Sequence, residues 1–329
     1  MRSSEPITRR AALKTVTTLA AVNAFPAIAQ SAWPSKPIRL LVPFAPGGSS
    51  EIVARSAANE LSKTLGQTVF VENKPGAGGN IAMLECAQSL DGHTLILGHI
   101  GTFAVNPFIY DKLPFDTNKD FKPISLLAKV PSLYVVNADV PAKNLKEFIA
   151  LAKAMPGSLN YGSAGNGSAG HLAFEYLKMV SGTFVLHVPY RGTGPQLTDL
   201  LAGRLDAASV GAPAILAHIK SGKLRAIATG TKERLAQLPD LPTVAESGYP
   251  GFEMTQWYGL NAPANMSAEA IAKIADACAK AMKNPLATER LRGDTALPVG
   301  DTPAQYAAFI KTEQARWKLV AARAKIKAE

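Results

Sequence analysis

The stretch GSAGNGSAGHL, residues 162–172, holds a complete G-x-G-x-x-G in Gly165, Gly167 and Gly170. Between a strand and a helix, that spacing can cradle a pyrophosphate. Glycine lets the anion approach the backbone, and the helix N-terminus attracts it. A dinucleotide site also needs an acidic residue about 20 positions further on, to bind a ribose hydroxyl. None occurs from Leu177 to Thr198, and the next apolar run ends in Tyr190 and Arg191, which suits only a 2′-phosphorylated cofactor. A nucleophile elbow, G-x-S-x-G, fails too, because Tyr161 and Asn166 stand two residues before Ser163 and Ser168. The five histidines and two cysteines have no metal-ligand spacing such as H-E-x-x-H or C-x-x-C. No cofactor and no metal are expected.

A second glycine-rich segment, PFAPGGSSE, residues 43–51, has the same setting. Both segments end an apolar run and open a helical pattern. A helix N-terminus offers free N–H groups and the positive end of the dipole, and serine hydroxyls add donors. Such a loop suits a carboxylate. The plainer reading is that these glycines only make tight turns. If each loop lies on its own lobe, Gly47, Gly48, Ser49, Ser163, Gly165, Gly167 and Ser168 face one another across a cleft. Thr102, just past a strand end in GHIGTFAVNP, is expected to line it, whereas His99 and His171 read as readily as packed side chains. Tyr190 and Arg191 close a strand and point to the cleft mouth.

The surrounding pattern supplies elements to hold these loops. IRLLVPF (38–44), TVFVEN and HTLILGH are apolar strand runs. Between them lie a helix with Ile52, Val53, Ala57, Leu61 and Leu65 near one face, and another through Ala82–Ser89. This βαβαβ order predicts a parallel sheet with its loops at the carboxyl ends of the strands. A long apolar run, residues 123–140, is interrupted by Pro131 and predicts a passage between lobes. A helix, NLKEFIALAKAMPG, leads to a second set of strands: LNYGSAG, FVLHVPY, AASVGA and KLRAIATG. Near residues 254–263 the chain returns, followed by two helical segments. The expected fold is α/β with two lobes, each a mostly parallel sheet flanked by helices. Lobe 1 is residues 33–135 plus 255–329, and lobe 2 is 136–254. Hinge movement is expected near 131–138 and 255–262. No internal sequence repeat is visible.

Residues 1–30 carry Arg2, Arg9, Arg10 and Lys14, then a modest apolar stretch with small residues at Ala27 and Ala29. That is the pattern of an export signal, and TRRAALK resembles a twin-arginine signal with Ala12 in place of a bulky apolar residue. A periplasmic location follows. The chain has formal charge +10. Its basic residues are spread without aromatic interleaving, which argues against a nucleic-acid partner but permits a diffuse attraction for anions. Cys86 and Cys278 are compatible with a disulfide in an oxidising compartment, a pairing the sequence leaves open.

Several further stretches carry a family resemblance: WPSKPIRLLVPFAPGG, VENKPGAGGNIA, DGHTLILG, NPFIYDKLPFDTNKDFKPISLLA, LNYGSAGNGSAGHLA, HVPYRGTGPQLTDLLAGRLD, LPDLPTVAESGYPGFE and WYGLNAP. In this order they resemble the Bug (Bordetella uptake gene) proteins, periplasmic solute-binding components of tripartite tricarboxylate transporters. The resemblance implies a Venus-flytrap fold and no catalysis. It implies that Phe44, Ala45, Gly47, Gly48, Ser49 and Glu51 of the first loop, with Ser163, Gly165, Gly167 and Ser168 of the second, hold a ligand carboxylate. It also implies delivery to permease subunits, with the receptor expected as a monomer. The runner-up is an exported α/β enzyme acting in the same cleft. Two positions depart from the family pattern. Glu51 stands where Asp is usual, and Val210 and Gly211, in SVGAP, stand where the family often has an acid and an amide. The second departure predicts a ligand without an α-amino group, with Val210 against its apolar body.

Overall fold

A computed structural model describes residues 33–328, apart from Asp294. The expected export signal lies outside the described residues.

The first sheet begins with β1 (Ile38–Val42), α1 (Ser49–Leu65), β2 (Val69–Asn73), α2 (Asn80–Ala87) and β3 (Thr94–His99). β1 pairs in parallel with both β2 and β3. Its residues alternate between two cores, as a strand covered on both faces must. Ile38, Leu40 and Val42 pack with Val53 and Leu61 of α1, while Leu41 packs on the other face with Met83 and Ile96. The long apolar run forms one strand, β4 (Phe121–Asn137).

The middle of the chain gives α3 (Leu145–Ala154), β5 (Asn160–Ser163), α4 (Ala169–Ser181), β6 (Leu186–Pro189), α5 (Thr193–Leu201), β7 (Ala207–Gly211), α6 (Ala212–Lys220) and β8 (Leu224–Thr229). After a long connection come β9 (Thr255–Pro263), α7 (Ala268–Lys283), α8 (Pro285–Gly293), β10 (Leu297–Pro298) and α9 (Pro303–Ala324).

β4 serves both sheets. From Phe121 to Pro131 it pairs antiparallel with β9. From Ser132 to Asn137 it lies between β7 and β8, antiparallel to both. The strand orders are therefore β2-β1-β3-β9-β4 and β6-β5-β7-β4-β8. Each sheet is one plan: three parallel strands, one antiparallel strand inserted, then a fourth that runs with the first three. The sheets are mostly parallel, as expected, with one antiparallel strand from outside each βα series filling the slot beside its third strand. The two passages of the chain are tied together. Gly230 N–H donates to the Ser132 carbonyl (2.8 Å), and Met254 N–H donates to the Gly230 carbonyl (2.7 Å).

One apolar cluster runs behind both sheets. It joins Leu41 and Ile96 to Tyr134 and Phe174, with Trp317 of α9 among them. Cys86 and Cys278 are free, buried, and in different clusters.

Candidate functional site

Two loops occupy the same position in the two sheets. Each leaves the first strand of its βα series, β1 or β5, and enters a helix, α1 or α4. Between them lies a cavity of about 20 Å3. Its wall is Phe44, Ser49 and Ser50 from the first loop, and Ala164, Ser168, Ala169 and Gly170 from the second. The ends of β3 and β7 add His99, Ser209, Val210 and Gly211, α5 adds Thr193 and Gln196, and β9 adds Gln256 and Tyr258. This is the carboxyl-end location that open α/β sheets use for ligands. Beyond Phe44 and Ala164 is an outer cavity of about 450 Å3, lined by Gly165, Asn166, Tyr190, Arg191 and residues 75–79.

In the first loop, α1 opens at Gly48 with no side-chain cap. The Gly48 carbonyl accepts from the N–H groups of Glu51 and Ile52, while a helix's first N–H groups have no partner inside it. Ser49 is buried, and its Oγ has no hydrogen-bond partner. Ser209 Oγ is in the same condition.

The second loop is wired from within. Ser168 caps α4 by accepting from His171 N–H (3.4 Å). Ser163 Oγ lies 2.6 Å from His187 Nε2 and accepts from Gly165 N–H (3.1 Å). Gly167, at φ 76°, donates its N–H to His171 Nδ1 (3.1 Å). Behind these contacts four rings stack in series: Phe174 on Tyr161 (4.3 Å), Tyr161 on His187 (4.9 Å) and His187 on His171 (4.3 Å). Burial pulls His171 down to about 4 and His187 to about 3, so both rings are neutral near pH 7. Ser163 and His187 have the spacing of a nucleophile and base, but Ser163 is fully buried and lines neither cavity.

The jaws meet through glycine and backbone. Ala45 N–H donates to the Arg191 carbonyl (3.2 Å), and Ala45 bridges to Gly192. A Cβ at Gly47 would lie 3.1 Å from Gly194 Cα, one at Gly101 would collide with the Gly167 carbonyl, and one at Gly211 with Ser49 Oγ.

The cavity lining is neutral: among the described residues it includes no acid, lysine or arginine. His99, buried and pulled down to about 3 by desolvation, accepts Gly101 N–H at Nδ1 (2.9 Å). It stands edge-on to Phe44 (4.9 Å) and beside Tyr258 (5.4 Å), whose hydroxyl donates to Gln256 Oε1 (2.8 Å).

Of the residues picked out by sequence, Phe44, Ser49, Ser168 and Val210 line the inner cavity. Gly165 lines the outer one. Ala45, Gly47 and Gly48 lie where the jaws touch, with Gly48 against Thr193. Glu51 turns away, its carboxylate accepting from Arg55 Nε (2.6 Å) and Asn73 Nδ2 (3.4 Å). Thr102 supports the wall from behind: fully buried, its Oγ1 accepts His99 N–H (3.1 Å) and donates to the His99 carbonyl (3.2 Å). Thr193, Gln196, Ser209, Gln256 and Tyr258 were not picked out. Ser209 adjoins Val210 at a strand end, a position that could have flagged it.

A model of the tripartite tricarboxylate transporter family receptor matches residues 53–325. The chain is 35% identical over 292 residues to protein BugT of Bordetella pertussis, covering 88% of this chain and 90% of that one. It superposes on R. palustris Rpa4515 with adipate at TM-score 0.87 and 34% identity, covering 90% of this chain and 100% of that chain. It matches MatC (Rpa3494) from Rhodopseudomonas palustris with bound malate at TM-score 0.84 and 34% identity, covering 88% and 99%.

Proposed function

The chain belongs to the tripartite tricarboxylate transporter receptor family, and from that premise we propose that it captures a small organic acid lacking an α-amino group, a dicarboxylate or an aromatic acid, and delivers it to the permease subunits of such a transporter. It is a periplasmic solute-binding protein of two-lobed α/β fold, in a family of receptors and not of enzymes. Residues 33–135 with 255–329 form one lobe in this reading and 136–254 the other; β4 changes partners at Pro131/Ser132, which supports a crossing in this stretch but four residues earlier.

The observation that carries the ligand class is the uncapped start of α1, with the unpartnered Ser49 hydroxyl on a neutral cavity wall. Free N–H groups and hydroxyls there suit a carboxylate. The same wall, among the described residues, has no anionic group for an ammonium, whose burial without an anionic partner costs several kcal/mol. Val210 stands where an acid would serve, and Glu51 is engaged by Arg55 and Asn73. Two relatives hold dicarboxylates, adipate and malate. A cavity of about 20 Å3 has room for roughly one water molecule. Binding a diacid therefore proceeds through a wider arrangement, opening about Pro131/Ser132 and Met254/Thr255.

Calorimetry on matched pairs tests this reading: succinate with aspartate, glutarate with glutamate, and benzoate. The deaminated partner should bind, and at ~100 times its Kd should stabilise the fold by about 2.7 kcal/mol. Tight binding of an amino acid, with its deaminated partner far weaker, would overturn it.

A further inference from the structure

A cavity wider than the cleft lies near the crossing strands. Of about 510 Å3, it lies between the segment 231–237 and the residues Arg292, Thr295 and Leu297, with β4, β9 and α9 around it. That volume is in the range of pockets that bury small organic ligands. Among the described residues, Gln256 is the one lining residue it shares with the cleft cavity.

We infer that this cavity is a second ligand site, for an organic acid with a flat apolar body. Among the described residues, five of its lining side chains are basic and three are acidic, a positive surplus that the cleft lacks. The basic group best placed is Lys129. Cross-strand pairing sets it opposite Trp257 on β9 and opposite Leu297 on β10, and its ammonium stands 5.0 Å from the Phe309 ring. Two of the three acids are occupied. Glu253 pairs with Lys232 (3.4 Å), and Glu313 accepts from the indoles of Trp257 (2.9 Å) and Trp317 (3.3 Å) and pairs with Arg316 (3.6 Å).

Thr295 is an independent sign of a ligand. It is 3% exposed, lines this cavity, and its Oγ1 has no hydrogen-bond partner. Its φ of 67° is a conformation that β-branched residues rarely adopt. An unpartnered hydroxyl on a strained backbone, two residues from the strand partner of Lys129, makes a donor pair for one carboxylate. Phe309, Leu297 and Pro131 supply an apolar surface for the rest of the molecule.

The test is titration of the full chain with benzoate, read by calorimetry and by the Trp257 indole N–H resonance. A Ser49→Trp chain, with the cleft filled, should still bind benzoate and shift that resonance. Lys129→Met should weaken this event about tenfold or more, as loss of a charged hydrogen bond does, and Lys129→Arg should largely restore it. Leu297→Trp, at a 54% exposed position that tolerates change, should block it while leaving the unliganded melting temperature near wild type. The inference is overturned if the Ser49→Trp chain takes up no benzoate at millimolar concentration. It is equally overturned if binding there is indifferent to Lys129→Met and Leu297→Trp.

Discussion

The two glycine-rich loops look alike in sequence and sit at equivalent points of the two sheets, yet they spend their polar groups differently. The second satisfies itself: Ser168 caps α4, Ser163 meets His187, and Gly167 meets His171. The first leaves α1 uncapped and Ser49 Oγ unpartnered. A strand–glycine loop–helix junction thus becomes a rigid jaw or a receptive one depending on whether its serines find partners within the chain. In the proposed reading the second loop serves stability, and the first receives the ligand.

That contrast can be broken most directly with acid. His171 and His187 are depressed from 6.5 to about 4 and about 3. The unfolded chain takes up their protons first, so the stability they contribute is intact above pH 6.5 and is lost as pH falls towards 4. For His171 alone the loss is on the order of 3 kcal/mol. Denaturant unfolding at pH 7 and pH 4.5 should show it, and His171→Gln should reduce the dependence while His187 and His99 keep the remainder. An unchanged slope in that variant would mean the ring stack does not hold the second jaw.

A smaller effect should follow from Gly101→Ala, which places a methyl against the Gly167 carbonyl of the opposing loop. The clash is relieved when the jaws part. Affinity for whichever acid of the panel binds should therefore drop about tenfold to a hundredfold, with the unliganded melting temperature near wild type. A fall in melting temperature without loss of affinity would make this contact a fixed part of the core.

The smallest and most discriminating effect compares two serines. Ser49→Ala removes an unpartnered hydroxyl, so unfolding free energy should move by no more than about 0.5 kcal/mol while affinity falls about tenfold. Ser168→Ala removes a helix cap and should cost about 1 kcal/mol of stability. The reverse pattern would exchange the roles of the loops.

Both loops were legible because apolar runs ended in glycine and serine ahead of a helical pattern. The fate of each hydroxyl was not legible, since Ser163 depends on His187 from a neighbouring strand. Glu51 likewise reads as a loop-facing acid until Arg55, one turn on, and Asn73, at the end of β2, draw it aside. Tyr258 and Gln256 lie within an almost fully buried strand, so nothing in their local pattern separates a cavity wall from core. The doubled sheet plan escaped because it resides in strand order and not in residue identity.

The shared strand has a consequence for assembly. Every strand of the second sheet lies within residues 132–229, so that half can close using neighbouring segments. The first sheet has a slot between β3 and β4 that only β9 fills, and β9 arrives after the whole second sheet has been made. Closing that slot requires a long loop, the slow kind of contact. Connectivity therefore orders the halves in time: the middle of the chain can finish first, and the end that begins the sequence must wait for the end that completes it.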